Sequence, residues 1–438
     1  MIEVLLMKTI YPKPGKKSAA VIKRDSEIMS PCLTREYPLV YKRAEGMYAW
    51  DADGKKYLDF AAFVAVMNVG NGNPDVKKAI QRQLKDGLHC GFADFYAEVP
   101  VRFVETLLTF LPKELNCAFL SNSGTEAVEA AYKLARWHTK RKWTISFKGA
   151  FHGRTMGSLS MTNARPVQRE RYAPFLPVSH VPYPYWYRMK MEPEECTDYC
   201  LNRLDKEMGR LNDNLAAVFI ESVQGENGYV VPPKNFIPGV RKLCNSHEVL
   251  LCDDEVQAGC FRTGKFLAIE NFGVKPDIVS LSKAMGGGMP LGATVANRKI
   301  MDWPPGSHAN TFGGNLLSCA AGIASLNFMR KKKLGENATL IGKLMMNRLA
   351  EMEEKYECIG NVRGIGLMIG IEIVKSKRTR ELDEKTRSAI VDDAFGKGLL
   401  LLPAGESAIR ICPPLIINKE QAENGLDILE DAIKAVTK

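Results

Sequence analysis

The chain has 438 residues, 45% hydrophobic and 25% charged, the balance of a soluble globular protein of about two domains. No apolar run approaches the roughly 20 residues of a membrane span, and 11 scattered cysteines without a C-x-x-C pair favour reduced thiols over disulfides or zinc. The net charge of +10 is spread over interspersed acids and bases, which favours a solvated face over a nucleic-acid groove and suits anionic small molecules.

At the N-terminus an apolar patch, Ile2 to Met7, precedes a basic stretch, Lys13 to Lys17. A secretory signal has the opposite order, so a retained, cytoplasmic N-terminus is expected. Residues 11–17 form a Pro/Gly/Lys arm with little to bury. Met47 to Phe60 reads as two short strands around the Asp53-Gly54 turn. Asn73 caps a helix that Pro74 opens, with Val76, Ile80 and Leu84 on its buried face.

From Ala118 strand-like runs recur at 118–121, 143–147, 215–221, 249–252 and 277–282, spaced to leave room for helices. Their residues are apolar on both faces, as in a buried parallel sheet. Val181 to Glu195, rich in Pro, Tyr and Trp, breaks the rhythm and is expected to be a long surface or subunit-contact loop. Beyond about residue 325 the pattern shifts. Leu367, Ile369, Ile371 and Ile373 alternate with other residues, which predicts a half-buried strand of a separate antiparallel sheet. The last helix starts at an Asn418/Gln421 capping pair and carries the stripe Leu426, Leu429, Ile433 and Val436. The expected division is therefore 1–72 as a segment contributing to a small domain, 73–325 as the large domain, and 326–438 as a smaller α+β domain.

Five stretches carry chemistry, each at the end of a predicted strand, where open α/β sheets bind ligands. SNSGTEAVEAAYKLAR, Ser121 to Arg136, opens a helix on Ser123, Gly124 and Thr125, a phosphate site by its free N–H groups and dipole, or a plain cap. FKGAFHGRT, Phe147 to Thr155, sets Phe151 and His152 between glycines, where an aromatic ring lies against a flat ligand or packs in the core. FIESVQGENG, Phe219 to Gly228, offers Glu221 and Glu226 for acid–base work or ion pairing. LLCDDEVQAG, Leu250 to Gly259, ends a strand in Asp253 and Asp254, acids suited to a protonated pyridine nitrogen or to Mg2+; zinc is disfavoured for want of histidine. DIVSLSKAMGGGMPLG, Asp277 to Gly292, delivers Lys283 into a glycine-rich turn, which suits an amine that must reach a bound cofactor.

In this order the motifs resemble those of class III pyridoxal-phosphate aminotransferases of fold type I, a group that includes ornithine, acetylornithine and 4-aminobutyrate aminotransferases and some amino-acid racemases. The likeness runs from about residue 35 to the C-terminus. It implies a mostly parallel, seven-stranded-type α/β sheet flanked by helices, a smaller α+β domain built from the chain termini, and pyridoxal 5'-phosphate as cofactor, with no metal. By that resemblance Lys283 bonds the cofactor covalently, Asp254 pairs with the pyridine nitrogen, and Gln257 contacts the ring hydroxyl. Ser123, Gly124 and Thr125 hold the phosphate, and Phe151 and His152 lie at the ring. Thr311, in HANTFGGN, reaches the phosphate of a neighbouring subunit, which implies a homodimer with shared active sites, alone or within a larger assembly. Glu226 and Arg410, in AIRICPPL, match a switchable pair in which the arginine binds an α-carboxylate and the glutamate neutralises it when a distal amine is presented. Arg154 and Phe63 fall on the substrate side.

Four departures concern the substrate rather than the cofactor. Phe63, in DFAAFVAV, stands where relatives carry glycine and would shrink the pocket; GNGNP, Gly70 to Pro74, lacks the usual histidines. Phe261 replaces a small residue and Ser222 a proline. The expected function is transfer of an amino group from an ω-amino or α-amino donor to an oxo acid such as 2-oxoglutarate. The alternative is a racemase or epimerase of the same family, and a scaffold without catalysis is disfavoured by retention of Lys283, Asp254 and the phosphate stretch together.

Overall fold

The computed structural model describes residues 13–437; the apolar patch Ile2–Met7 and residues 11–12 of the basic arm lie outside them. From Lys16 to Ile28 the arm is helical, and its first turn is capped from a distance: the Asp53 carboxylate accepts the Lys17 and Ser18 N–H groups at 3.0 and 2.9 Å. The predicted turn at Asp53-Gly54 links strands β2 (Tyr48–Asp51) and β3 (Lys56–Asp59), which follow β1 (Tyr41–Glu45) in an antiparallel meander.

The large sheet comprises β4 (Cys117–Ser121), β5 (Trp143–Phe147), β6 (Val178–Val181), β7 (Leu215–Ile220), β8 (Leu250–Asp254), β9 (Ile278–Leu281) and β10 (Gly292–Ala296), in the order β4-β10-β9-β8-β7-β5-β6. Only β10 runs against the others. It follows β9 across a short turn, without the crossover helix that a parallel neighbour requires. Every residue of β7 and β9 is buried, Ser280 of β9 included, as their largely apolar runs predict, because helices cover both faces. Residues just past β5, β7, β8 and β9 thus gather along one edge.

The C-terminal part builds an antiparallel sheet from β11 (Ile359–Ile365), β12 (Met368–Ile373), β14 (Leu402–Ala404) and β15 (Ala408–Ile411), while β13 (Leu399–Leu400) leaves it to pair with β3. Strand β12 is wholly buried rather than half-buried. Its second face is closed by the loop after β7: a side chain at Gly370 would collide with the Gly228 carbonyl, and Met368 packs with Tyr229. The predicted capping pair Asn418/Gln421 starts the helix Lys419–Val436. Asn73 caps the helix Pro74–Asp86, but of its expected apolar face Leu84 is 55% exposed, beside an equally bare Leu88.

Val181 to Glu195 is not a surface loop. Tyr183 lies buried between Phe147 and Phe236, edge to face at 5.7 and 5.4 Å. Two residues on, the Tyr185 hydroxyl and Arg188 reach Glu372 on β12, which Arg363 and Ser407 also hold at 2.8 Å each. Polar residues in this stretch therefore face a buried carboxylate supplied nearly two hundred positions later.

Burial alone would raise the Glu372 pKa; Arg363, Arg188 and Tyr185 overcome that and hold it at about 2. Its stabilising contribution is present above the ordinary carboxylate pKa of about 4.3 and is lost as pH falls toward the folded value. Replacing it, Glu372→Ala, strands two guanidinium groups and is expected to cost about 3–5 kcal/mol in chemical denaturation at neutral pH. The loss should shrink when the same comparison is run near pH 2.

Candidate active site

Strand β9 ends at Leu281, and the Ser282 hydroxyl closes the following turn on the Leu291 carbonyl at 2.8 Å. This places Lys283 at φ +43°, a conformation that a lysine adopts at a cost and that persists only where the surroundings over-determine it. Among the described residues its amine makes no hydrogen bond. Burial lowers its pKa and Arg410 adds to the effect, while Asp254, Glu221 and Glu226 oppose it.

On the neighbouring strand, successive residues point to opposite faces, so Asp253 and Asp254 do not converge as a metal pair would require. Asp253 accepts the Ser222 hydroxyl at 3.1 Å, which gives the serine in place of proline a partner. The Asp254 Oδ2 instead meets His152 Nδ1 at 2.7 Å, and its Oδ1 accepts the Val256 N–H at 3.1 Å. Burial works against charge on the His152 ring, but the Asp254 carboxylate outweighs it and raises the pKa. The other ring nitrogen, Nε2, is buried without a partner among the described residues.

At the edge of the same face starts the helix Gly124–Thr139. The Ser123 side chain accepts the Glu126 N–H at 3.3 Å, and Thr125 Oγ1 bonds the Ser158 and Thr155 hydroxyls at 2.6 and 2.8 Å. The Gly124 and Thr125 N–H groups have no acceptor among the described residues. A helix of this length concentrates positive potential there, so the cluster is suited to cradle an anion. Gly153, at φ +135°, is needed beside it, since a Cβ would collide with the Thr125 hydroxyl.

The other expected residues divide into two sets. Phe151 follows β5, with the Arg154 guanidinium 5.2 Å from its ring; Gln257 Oε1 accepts the Tyr229 hydroxyl at 2.9 Å. Glu226 meets Arg410, on β15, at 3.2 Å. Phe63 lies in a left-handed turn, residues 62–65 at φ +44, +46, +69 and +58°, with its ring edge-on to Tyr41 at 5.5 Å in the small cluster against β2 and β3. Phe261 packs on Phe110 and Phe266 in the core. Thr311 is exposed and bonds none of these side chains among the described residues.

The model of the family described as aminotransferase class-III matches residues 31–433. The chain is 37% identical to an alanine/serine racemase of Pyrococcus horikoshii, across 99% of this chain and 94% of that one. It is 39% identical to an acetylornithine aminotransferase of Methanopyrus kandleri, across 91% and 95%. Among solved structures it is similar to a PLP-bound amine transaminase from an uncultivated Pseudomonas species, with a TM-score of 0.88, 31% identity and coverage of 93% and 98%.

One residue of this region escapes a motif reading. Arg165 lies 3.5 Å from Glu226, far from any glycine-rich signal, and only the fold brings it there. Glu221 is not a second catalytic-type partner of Glu226. Its two oxygens accept the Phe151 N–H at 2.8 Å and the Gly225 N–H at 2.9 Å, which ties the loops after β5 and β7 together. Burial raises its pKa to about 7 despite His152, which lowers it. Removing the carboxylate, Glu221→Ala, leaves both buried donors unmet at about 1–3 kcal/mol each, so denaturant titration should show a loss of about 2–5 kcal/mol. An unchanged midpoint would refute the brace.

Proposed function

The chain belongs to the class III aminotransferase family, and from that premise we propose a pyridoxal-phosphate-dependent aminotransferase with a ping-pong cycle. It moves an amino group from an ω-amino, 4-aminobutyrate-like donor or an α-amino donor to an oxo acid such as 2-oxoglutarate. One juxtaposition carries the reading: a half-buried Lys283 amine, without a hydrogen-bond partner among the described residues, held in the field of Asp254, which ends the adjacent strand. The donor set fits the cofactor, with orphan N–H groups for a phosphate at one end and a braced carboxylate for a ring nitrogen at the other.

When bound, pyridoxal phosphate supplies an aldehyde carbon that bonds amine nitrogens and a protonated ring that draws electrons from the carbon beside them. In this reading Ser123, Gly124 and Thr125 hold the phosphate, with Thr311 reaching it from a second subunit. Phe151 lies on the ring face, Gln257 meets the ring hydroxyl, and Asp254, oriented by His152, keeps the ring nitrogen protonated. Lys283 holds the cofactor covalently and, with its amine free, carries the proton at the substrate Cα; its lowered pKa leaves more of it neutral for both tasks. Arg410 binds the α-carboxylate, and Glu226 covers Arg410 when the donor presents a distal amine. Arg154 and Phe63 complete the substrate side.

A homodimer with active sites at its interface is part of this proposal. Exposed Leu88, Phe95, Tyr96 and Phe312 support it, with Thr311 next to the last of them. A cytoplasmic location is proposed too, supported by 11 cysteines that are all free. The second reading, a racemase or epimerase, draws on the 37% identity with an alanine/serine racemase. It needs the same lysine and aspartate, with a second proton donor on the opposite face of Cα.

A panel of amines and amino acids, followed for oxo-acid formation and for loss of optical rotation, separates the two. Transfer requires an oxo-acid acceptor; racemisation proceeds with one amino acid alone and labels Cα in deuterated water. For the site, Lys283→Ala should abolish the visible absorbance of the covalently held cofactor and lower turnover by about 10³-fold or more. An unchanged spectrum would count against the assignment.

A further inference from the structure

Glu226 is shared. Its Oε2 lies 3.2 Å from Arg410 Nη1 and its Oε1 lies 3.5 Å from Arg165 Nη2. The two arginines differ in access: the Arg410 side chain is 9% exposed, Glu226 19% and Arg165 35%. Both arginines keep a buried Nε–H without an acceptor among the described residues. The backbone of Glu226 is fixed, since its carbonyl accepts the Gly405 N–H at 2.7 Å, so only the side chain is free to redistribute between its partners. Around them, Glu36 lies within electrostatic reach of Arg410, Arg165 and Arg387. Arg387 already pairs with Glu384 at 3.1 Å, so Arg410 and Arg165 share Glu226 and Glu36 between them.

We propose that Arg165 is a specificity-determining residue: it retains Glu226 when that carboxylate leaves Arg410, so that Arg410 opens to a substrate carboxylate. The inference rests on the roles given above to Glu226 and Arg410. A carboxylate in this half-buried setting that lost Arg410 with no second partner would carry the full cost of an unmet charge. With Arg165 already on its other oxygen, the open arrangement requires only that one of two existing contacts be given up. The affinity of Arg410 for a carboxylate is scaled by the fraction of molecules in the open arrangement, so Arg165 acts on that fraction. Arg165 is a positioning residue in this account and does not touch the substrate. The ligands it governs are those with a carboxylate at the reacting end: α-amino acids and dicarboxylate oxo acids, as against amines that present a bare distal amino group.

The experiment uses the cofactor-loaded, full-length protein and four forms: Arg165→Ala, Arg165→Lys, Glu226→Ala, and Arg165→Ala combined with Glu226→Ala. Two quantities are read: the Kd of succinate, a non-reacting dicarboxylate, by calorimetry, and the ratio of kcat/KM for an α-amino acid donor to that for an ω-amine donor. Arg165→Ala should weaken succinate and lower the ratio, each about tenfold, while Arg165→Lys retains most of both. Glu226→Ala should tighten succinate, and adding Arg165→Ala to it should change neither quantity further. Loss of succinate affinity on Arg165→Ala that is equally large with and without Glu226 would overturn the proposal, because Arg165 would then bind the carboxylate itself. An Arg165→Ala form that matches the parent in both readings would overturn it as well. If Glu226→Ala moves neither quantity, the Glu226–Arg410 reading fails along with what is built on it, a result distinct from the other two.

Discussion

A primary amine just past the end of a buried strand, with no hydrogen-bond partner among the described residues, is costly to keep where it is. The fold fixes it from three sides. The turn that carries Lys283 is closed where β10 returns beside β9, with Ser282 locking its mouth on Leu291. Beneath it, the helix Leu316–Lys331 presents Ser325, whose hydroxyl bonds the Ala284 carbonyl at 3.1 Å. The left-handed backbone at Lys283 is thereby over-determined, which is the condition for strain to persist. The fields of Asp254, Glu221 and Glu226 offset part of the desolvation that remains.

The acids around that amine are sorted by strand geometry. On β8, Cys252 packs with Val128, Ala131 and Tyr132 of the helix Gly124–Thr139, and Asp254, two residues on, shares its face. The next turn lays Val256 against the start of the same helix, where a Cβ on Gly124 would meet it at 2.6 Å. One strand end thus sets both the carboxylate and the anion cradle to which the cofactor's two poles are assigned. The neighbouring Asp253, turned the other way, has its pKa pushed up by burial and by Glu255, and its Oδ1 accepts the Ser222 hydroxyl. Two adjacent aspartates with one chemical role between them are a consequence of pleating.

How much of this is legible in the sequence depends on how local its cause is. The apolar runs of β5, β7 and β9, the Asn73 and Asn418 caps and the lysine turn each declare themselves within a dozen residues, and the family likeness extends that to the whole sheet. Strands β6 and β10 do not declare themselves: one is four residues with a serine and a histidine, the other opens on glycine, and each exists because its neighbours pair with it. The aromatic stretch after β6 looks like a surface loop because its polar groups are answered by Glu372, Arg363 and Ser407, which no local window contains. Leu84 looks like core by helical period, yet the single chain leaves that face bare. Glu221 and Glu226 look alike five residues apart; one is consumed by backbone amides and the other by guanidinium groups.

The same contrast separates chemistry from choice of substrate. Apart from Thr311, the residues assigned to the cofactor sit within a few positions of strand ends in one sheet, so their arrangement follows from the sheet alone. Those assigned to the substrate come from a loop after β7, from the C-terminal sheet, from a turn beyond β5 and, for Phe63, from the turn after β3; Glu226, Arg410 and Arg165 meet only after those parts have docked. Amino transfer and racemisation both call on Lys283 and Asp254 and therefore make the same demand on the first set. What distinguishes them, admission of a second carboxylate-bearing partner, falls to the second set, where the balance among Arg410, Arg165 and Glu226 is struck.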